Sequence, residues 1–157
     1  MLEVFELVTT ATTQSPTTKG ETLSVVLTFE ERKKSRHKTT TECGKEFGWF
    51  LERGIVLTDG DVLKTKTAEL IKVIAAKESV SEVHSDSAHA LMRAAYHLGN
   101  RHVPLQVEPK LLRYQHDHVL DDMVRGLGLK VAPAQSPFQP ENGAYSGGNS
   151  HSHSHHH

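Results

Sequence analysis

Imidazole is the group on which the chemistry of this chain turns. Of its twelve histidines, four (His97, His102, His116 and His118) fall between Tyr96 and Leu129, in an apolar framework able to hold them still. Five more, His151, His153, His155, His156 and His157, close the sequence in a tract interrupted by Ser152 and Ser154. Neutral imidazole is a good ligand for Ni²⁺, Cu²⁺ and Zn²⁺, and affinity alone does not select nickel among them. An ordered set of ligands beside a loose set suits capture and transfer of an ion. Because histidine titrates near pH 6.5, charge and metal affinity should both change steeply just below neutrality.

The ordered histidines are not equivalent. His102 follows a helical pattern and stands at the edge of an extended one. His116 and His118 flank Asp117, which reads as a helix cap. An i, i+2 pair shares one side of extended chain but diverges on a helix, so both reach one ion only where the segment is not helical. His97 belongs to the last turn of a helix, where the dipole favours a cation, and reads as structural. His37, His84 and His89 are scattered and read as structural or solvated. Cys43 is the single cysteine, so no intrachain disulfide forms, and one thiolate alone makes a poor metal site.

These residue types also bear on what the protein does not do. A metallohydrolase needs a closed set of protein ligands, an open position and a nearby general base. No His-Glu-x-x-His occurs here, and the ordered histidines form no catalytic constellation, so the chain is expected not to be an enzyme. A metal store or buffer, and a folding co-chaperone acting through the first half, are the other rivals.

Charge and hydropathy narrow the setting. The formal net charge is −1 with the pI near 6.9, so no global field draws nucleic acid or a membrane surface. The basic stretch from Arg32 to Lys38 carries no interleaved aromatics to stack on bases. It reads as a solvated strand face and turn, and secondarily as a surface for an acidic partner. No apolar run approaches the ~18 residues of a membrane span. The opening residues lack the basic and apolar regions of a signal peptide. A cytoplasmic protein is expected.

Two small domains must position the histidines. A chain of 157 residues allows them. Residues 1–75 read as an all-β domain, with strands at Leu2–Val8, Leu23–Phe29, Glu46–Leu51, either side of the Asp59-Gly60 turn, and Glu69–Ala75. No convincing helix is seen there. Residues 76–136 alternate strand, helix, strand, strand, helix, strand, the split order of an α+β ferredoxin-like (βαββαβ) fold. Helices are expected over Asp86–Leu98, capped by Ser85 or Asp86 and ended by Gly99-Asn100, and from Asp117 to Leu127. From Pro133 the composition turns to Pro, Gln, Ser, Gly and His, with too little apolar surface to offset the entropy of ordering. Residues 137–157 are therefore expected to form a flexible, disordered metal-binding tail. Its serine-interrupted tract differs from an unbroken engineered tag.

The motif Tyr96-His97-Leu98-Gly99-Asn100-Arg101-His102 resembles that of the UreE family of urease accessory nickel chaperones. So do Leu27–Arg32 with Lys34-Ser35-Arg36, Phe50-Leu51 with Arg53-Gly54 and Leu57–Asp61, Leu112-Arg113-Tyr114 and His116–Met123. Pro137-Phe138, Pro140-Glu141 and Gly143-Ala144-Tyr145 precede the histidine-rich end, again in the family's order. The resemblance implies a first domain of the peptide- or partner-binding type and a second that binds metal and forms a homodimer. It places His102 at the dimer twofold, His116 and His118 at accessory metal sites, and Ni²⁺ as the cargo. It also implies delivery to apo-urease through a complex with the family's GTPase partner.

Overall fold

Alternation of apolar and polar residues builds the first half as a sheet. The computed structural model describes residues 1–8 and 22–143. They form two compact units, the first on Met1–Ala75 and the second on Ala76–Glu141. In the first unit, β1 (Leu2–Val8), β2 (Leu23–Leu27), β3 (Arg36–Thr40), β4 (Glu46–Phe50), β5 (Val62–Thr65) and β6 (Leu70–Ala75) make one sheet in the order β2-β6-β5-β1-β4-β3. Val4, Leu27, Phe47, Trp49, Leu63, Ile71 and Val73 point to one side and are fully buried. The indole N–H of Trp49 is satisfied by the Lys34 carbonyl at 2.8 Å, as a buried polar group requires.

Two expectations for this unit are corrected. A short helix, α1 (Phe29–Arg32), stands where the β-branched run was expected to continue as a strand through Phe29. Thr28 Oγ1 accepts from Glu31 N–H at 3.2 Å, and the Glu31 carboxylate accepts from Thr28 N–H at 3.0 Å. This reciprocal capping box ends the strand. The basic stretch is divided accordingly: Arg32 is buried and donates to Leu57 O, whereas Arg36 and Lys38 stand exposed on β3. The second correction concerns residues 53–58, which are not a strand. Asp61 accepts from Thr58 N–H and Asp59 from Ala75 N–H, both at 2.8 Å, so carboxylates take the place of a ladder before the Gly60 turn.

In the second unit, β7 (Lys77–His84), α2 (Ala88–Asn100), β8 (Gln106–Glu108), β9 (Leu111–Gln115), α3 (His118–Gly126) and β10 (Ala132–Pro137) follow the βαββαβ order. The antiparallel sheet runs β10-β7-β9-β8. Ser87 caps α2, one residue beyond the expected pair, accepting from Ala90 N–H at 3.1 Å. Leu91, Ala94 and Leu98 bury its inner side with Val83, Leu112, Tyr114, Leu120 and Val124. Met92, next to the buried Leu91, is 62% exposed, and Tyr96 one turn on is 70% exposed. Among the described residues, no helix is long and apolar enough to cross a membrane.

The expected tail begins too early. β10 pairs with β7 over six positions, from Ala132↔Glu82 to Pro137↔Lys77, and Phe138 is completely buried. Gln139 N–H then donates to the Gln106 side chain at 2.9 Å, and Glu141 N–H to Leu105 O at 2.8 Å. The prolines are tolerated because β10 is an edge strand, where a missing N–H costs no ladder bond on the outer side. One aromatic ring and a borrowed ladder order a segment whose composition argues against it. The rest of the expected tail, with its histidines, lies in residues 144–157, outside the described part of the chain. Phe138→Ala should lower the stability of the second unit by about 3–5 kcal/mol. Urea unfolding followed in the far ultraviolet checks it.

Candidate metal centre

A helix end sets the geometry of His102. Arg101 is the cap of α2, and His102 follows it with φ +58°, in the left-handed region that glycine ordinarily fills after a helix. Its N–H donates to Gly99 O at 3.0 Å, satisfying a carbonyl of the last turn. An L-residue pays about 1–2 kcal/mol for this conformation. The sequence points instead to Gly99-Asn100 as the stop, yet both remain helical. The imidazole itself is exposed.

His116 and His118 stand at the entry to α3. Asp117 between them is extended, at φ −157° and ψ 116°, and its carboxylate caps the helix by accepting from Val119 and Leu120 N–H. The bend into the helix thus comes at His118, its first residue, and the pair sits on chain that is still extended at Asp117. Both histidines are exposed. His118 is the freer of the two. His116 is tied back through Nδ1, which lies 3.2 Å from Ser81 Oγ and 3.4 Å from Asp121 Oδ2.

Asp121 entered the sequence analysis only within the His116–Met123 motif, with no role of its own. It is buried, and its Oδ1 accepts from Ser81 Oγ at 2.6 Å and from the Tyr114 hydroxyl at 2.7 Å. Burial first, then donation to this carboxylate, pushes the Tyr114 hydroxyl pKa well above its ordinary value, so Tyr114 stays a neutral donor. Ser81, Tyr114 and Asp121 come from β7, β9 and α3, and no local pattern announces their meeting. Serine, histidine and aspartate side by side suggest a nucleophilic triad, but Ser81 is fully buried and spends its proton on Asp121. A triad needs the nucleophile to face substrate and the histidine to bridge it to the acid. This cluster does neither.

The remaining ordered histidines are engaged in packing or in solvent. The His97 ring meets Tyr96 edge-on at 5.1 Å. His37 pairs with Glu31 at 3.0 Å and packs on Trp49. That pairing, with the Thr28 bonds, outweighs the effect of burial and holds the Glu31 carboxyl below its ordinary range. His84 is exposed, 3.3 Å from Glu82. Partial burial would raise the Glu82 pKa, but the Arg113 guanidinium beside it brings the carboxyl below the usual value. His89 is exposed. Cys43 is exposed, its thiol 3.3 Å from Thr41 Oγ1. Among the described residues, no three His, Cys, Asp or Glu side chains converge to hold an ion. His102, His116 and His118 are each exposed to solvent.

Two strand-rich units, the second bearing exposed imidazoles at the ends of its helices, define a two-domain, histidine-bearing class of protein. The family models for the UreE urease accessory protein match most of the chain, the N-terminal domain over residues 5–76 and the C-terminal domain over 78–157. The urease accessory protein UreE of Saccharophagus degradans is 61% identical over 151 residues, covering 96% of this chain and 88% of its own. That of Teredinibacter turnerae is 66% identical over 127 residues, 81% of this chain and 82% of its own. The chain belongs to the UreE family of urease accessory proteins.

The left-handed backbone at His102 can be tested by itself. His102→Gly should stabilise the metal-free protein by about 1 kcal/mol, because glycine adopts this backbone freely. His102→Ala should bring no such gain. Urea unfolding in the presence of a chelator checks the sign for each variant.

Proposed function

We propose that the protein is a nickel metallochaperone, a homodimer that holds Ni²⁺ between the His102 residues of two copies and delivers it to apo-urease. The observation that carries this reading is His102 itself, an exposed residue on strained backbone that belongs to no metal-holding cluster among the described residues. A strained non-glycine residue persists where function requires it. One imidazole falls short of the coordination nickel takes, so the site is completed from outside the fold. The outer side of α2 supports a second copy as the source: Met92, Tyr96 and Gly99 follow at three- and four-residue steps toward His102. A self-complementary contact there would bring two such turns to one axis.

His151, His153, His155, His156 and His157 supply the labile ligands in this reading. The Glu141–Leu105 bond holds the chain beside the turn that carries His102. His151 is then about ten residues on, within about 33–36 Å of fully extended chain. His116 and His118 serve as accessory sites, and Cu²⁺ and Zn²⁺ compete for all of these imidazoles. The second unit, with its βαββαβ order, is read as ferredoxin-like.

The first unit is read as the partner-binding domain. Phe5 and Phe50 stack at 5.2 Å on its surface, with Lys66 over Phe5 and Arg36 over Phe50. An aromatic pair framed by cations suits a protein partner, and the accessory GTPase and apo-urease are the partners proposed. Neither nucleic acid nor a membrane is one. The setting is cytoplasmic, and the role is not enzymatic.

Activation of apo-urease at limiting nickel tests the proposal. With this protein present, the activation rate should rise. His102→Ala, or removal of residues 144–157, should reduce that gain. An activation rate unchanged by the intact protein would favour storage over delivery.

A further inference from the structure

In the Asp121 cluster the direction of every hydrogen bond can be assigned from the donors present. Tyr114 donates its hydroxyl proton to Asp121 Oδ1 at 2.7 Å, and Ser81 donates its only proton to the same oxygen at 2.6 Å. With that proton spent, Ser81 Oγ can only accept from His116 Nδ1 at 3.2 Å. The other neighbour of Nδ1 is the acceptor Asp121 Oδ2 at 3.4 Å. Nδ1 therefore faces two acceptors and no donor.

We propose that Asp121, aided by Ser81 and Tyr114, is the positioning residue that fixes His116 in its Nδ1–H form and turns its Nε2 lone pair outward toward metal. The proposal rests on the reading of His116 as an accessory ligand. A metal-binding imidazole gains basicity and a fixed ring when its other nitrogen donates to a carboxylate. Here the carboxylate is buried and the ring is not: the Asp121 side chain is 5% exposed and that of His116 46%. The ring is anchored from the backbone as well, since His116 N–H donates to Ser79 O at 3.2 Å. His118, two residues away, has no such brace. The two histidines consequently differ in kind, one oriented in advance and one free to follow the ion.

Nitrogen-15 correlation spectra of the full-length, metal-free protein at about pH 8, above the ordinary histidine pKa, read the tautomer directly. His116 should show protonated Nδ1 and unprotonated Nε2. Finding the Nε2–H form in the unaltered protein would overturn the proposal, and this measurement needs no variant to fold. Asp121→Asn places an amide donor within reach of Nδ1 and should redistribute the tautomers. It should also weaken accessory Ni²⁺ binding by about 10–100-fold, while the His102-dependent ion is held as before. Asp121→Asn that left both tautomer and accessory affinity unchanged would likewise overturn it. Tyr114→Phe keeps the packing and one of the two donors, and should give an intermediate shift of the His116 signals. His116→Ala separates the two levels of the argument. If it left accessory Ni²⁺ binding intact, His116 would not be a ligand and the proposed metal role of Asp121 would fall, even with the tautomer confirmed.

Discussion

One imidazole cannot hold a nickel ion, and in the proposed reading the second unit is constructed around that insufficiency. α2 is capped at Ser87, packed through Leu91, Ala94 and Leu98, and stopped so that His102 takes the left-handed turn. Glycine would make the turn without strain. A histidine there costs stability; in the proposed reading it gains in return a ligand placed at the end of an element, more exact than a loop could offer. On that reading the fold supplies position, other groups complete the coordination, and the ion can enter and leave as transfer requires.

At His116 the backbone is unstrained, and in the proposed reading precision comes instead from the Asp121 carboxylate, buried where β7, β9 and α3 meet. Burying a charge is costly unless it is fully hydrogen-bonded, and Asp121 is satisfied by Ser81, Tyr114 and His116. Removing any partner would leave part of that cost unrecovered. The exposed His116 imidazole thus rests on buried polar scaffolding, and the apolar core fixes that scaffold.

Much of this was legible in the residues. Alternation located β1, β2, β4 and β6, period and caps located α2 and α3, and the βαββαβ order followed from their succession. The misreadings share a physical cause, in that local propensity lost to contacts distant in sequence. Thr28-x-x-Glu31 was a visible capping signature, but a four-residue helix leaves no periodicity to support it. The Asp-Gly turn was real, while the chain before it was held by the Asp59 and Asp61 carboxylates. β10 has almost no strand propensity, and only its pairing with β7 and the burial of Phe138 order it. The histidines stood out by type, yet the left-handed turn at His102 and the assembly of Ser81, Tyr114 and Asp121 exist only in three dimensions.

The central claim is that two copies share one ion through His102. Equilibrium dialysis of the intact protein against Ni²⁺, with mass measured in the same buffer, tests it most directly. The account predicts one tightly held ion per two chains, lost in His102→Ala, beside weaker ions that depend on the other histidines. One tight ion per single chain, or a tight ion unaffected by His102→Ala, would contradict it.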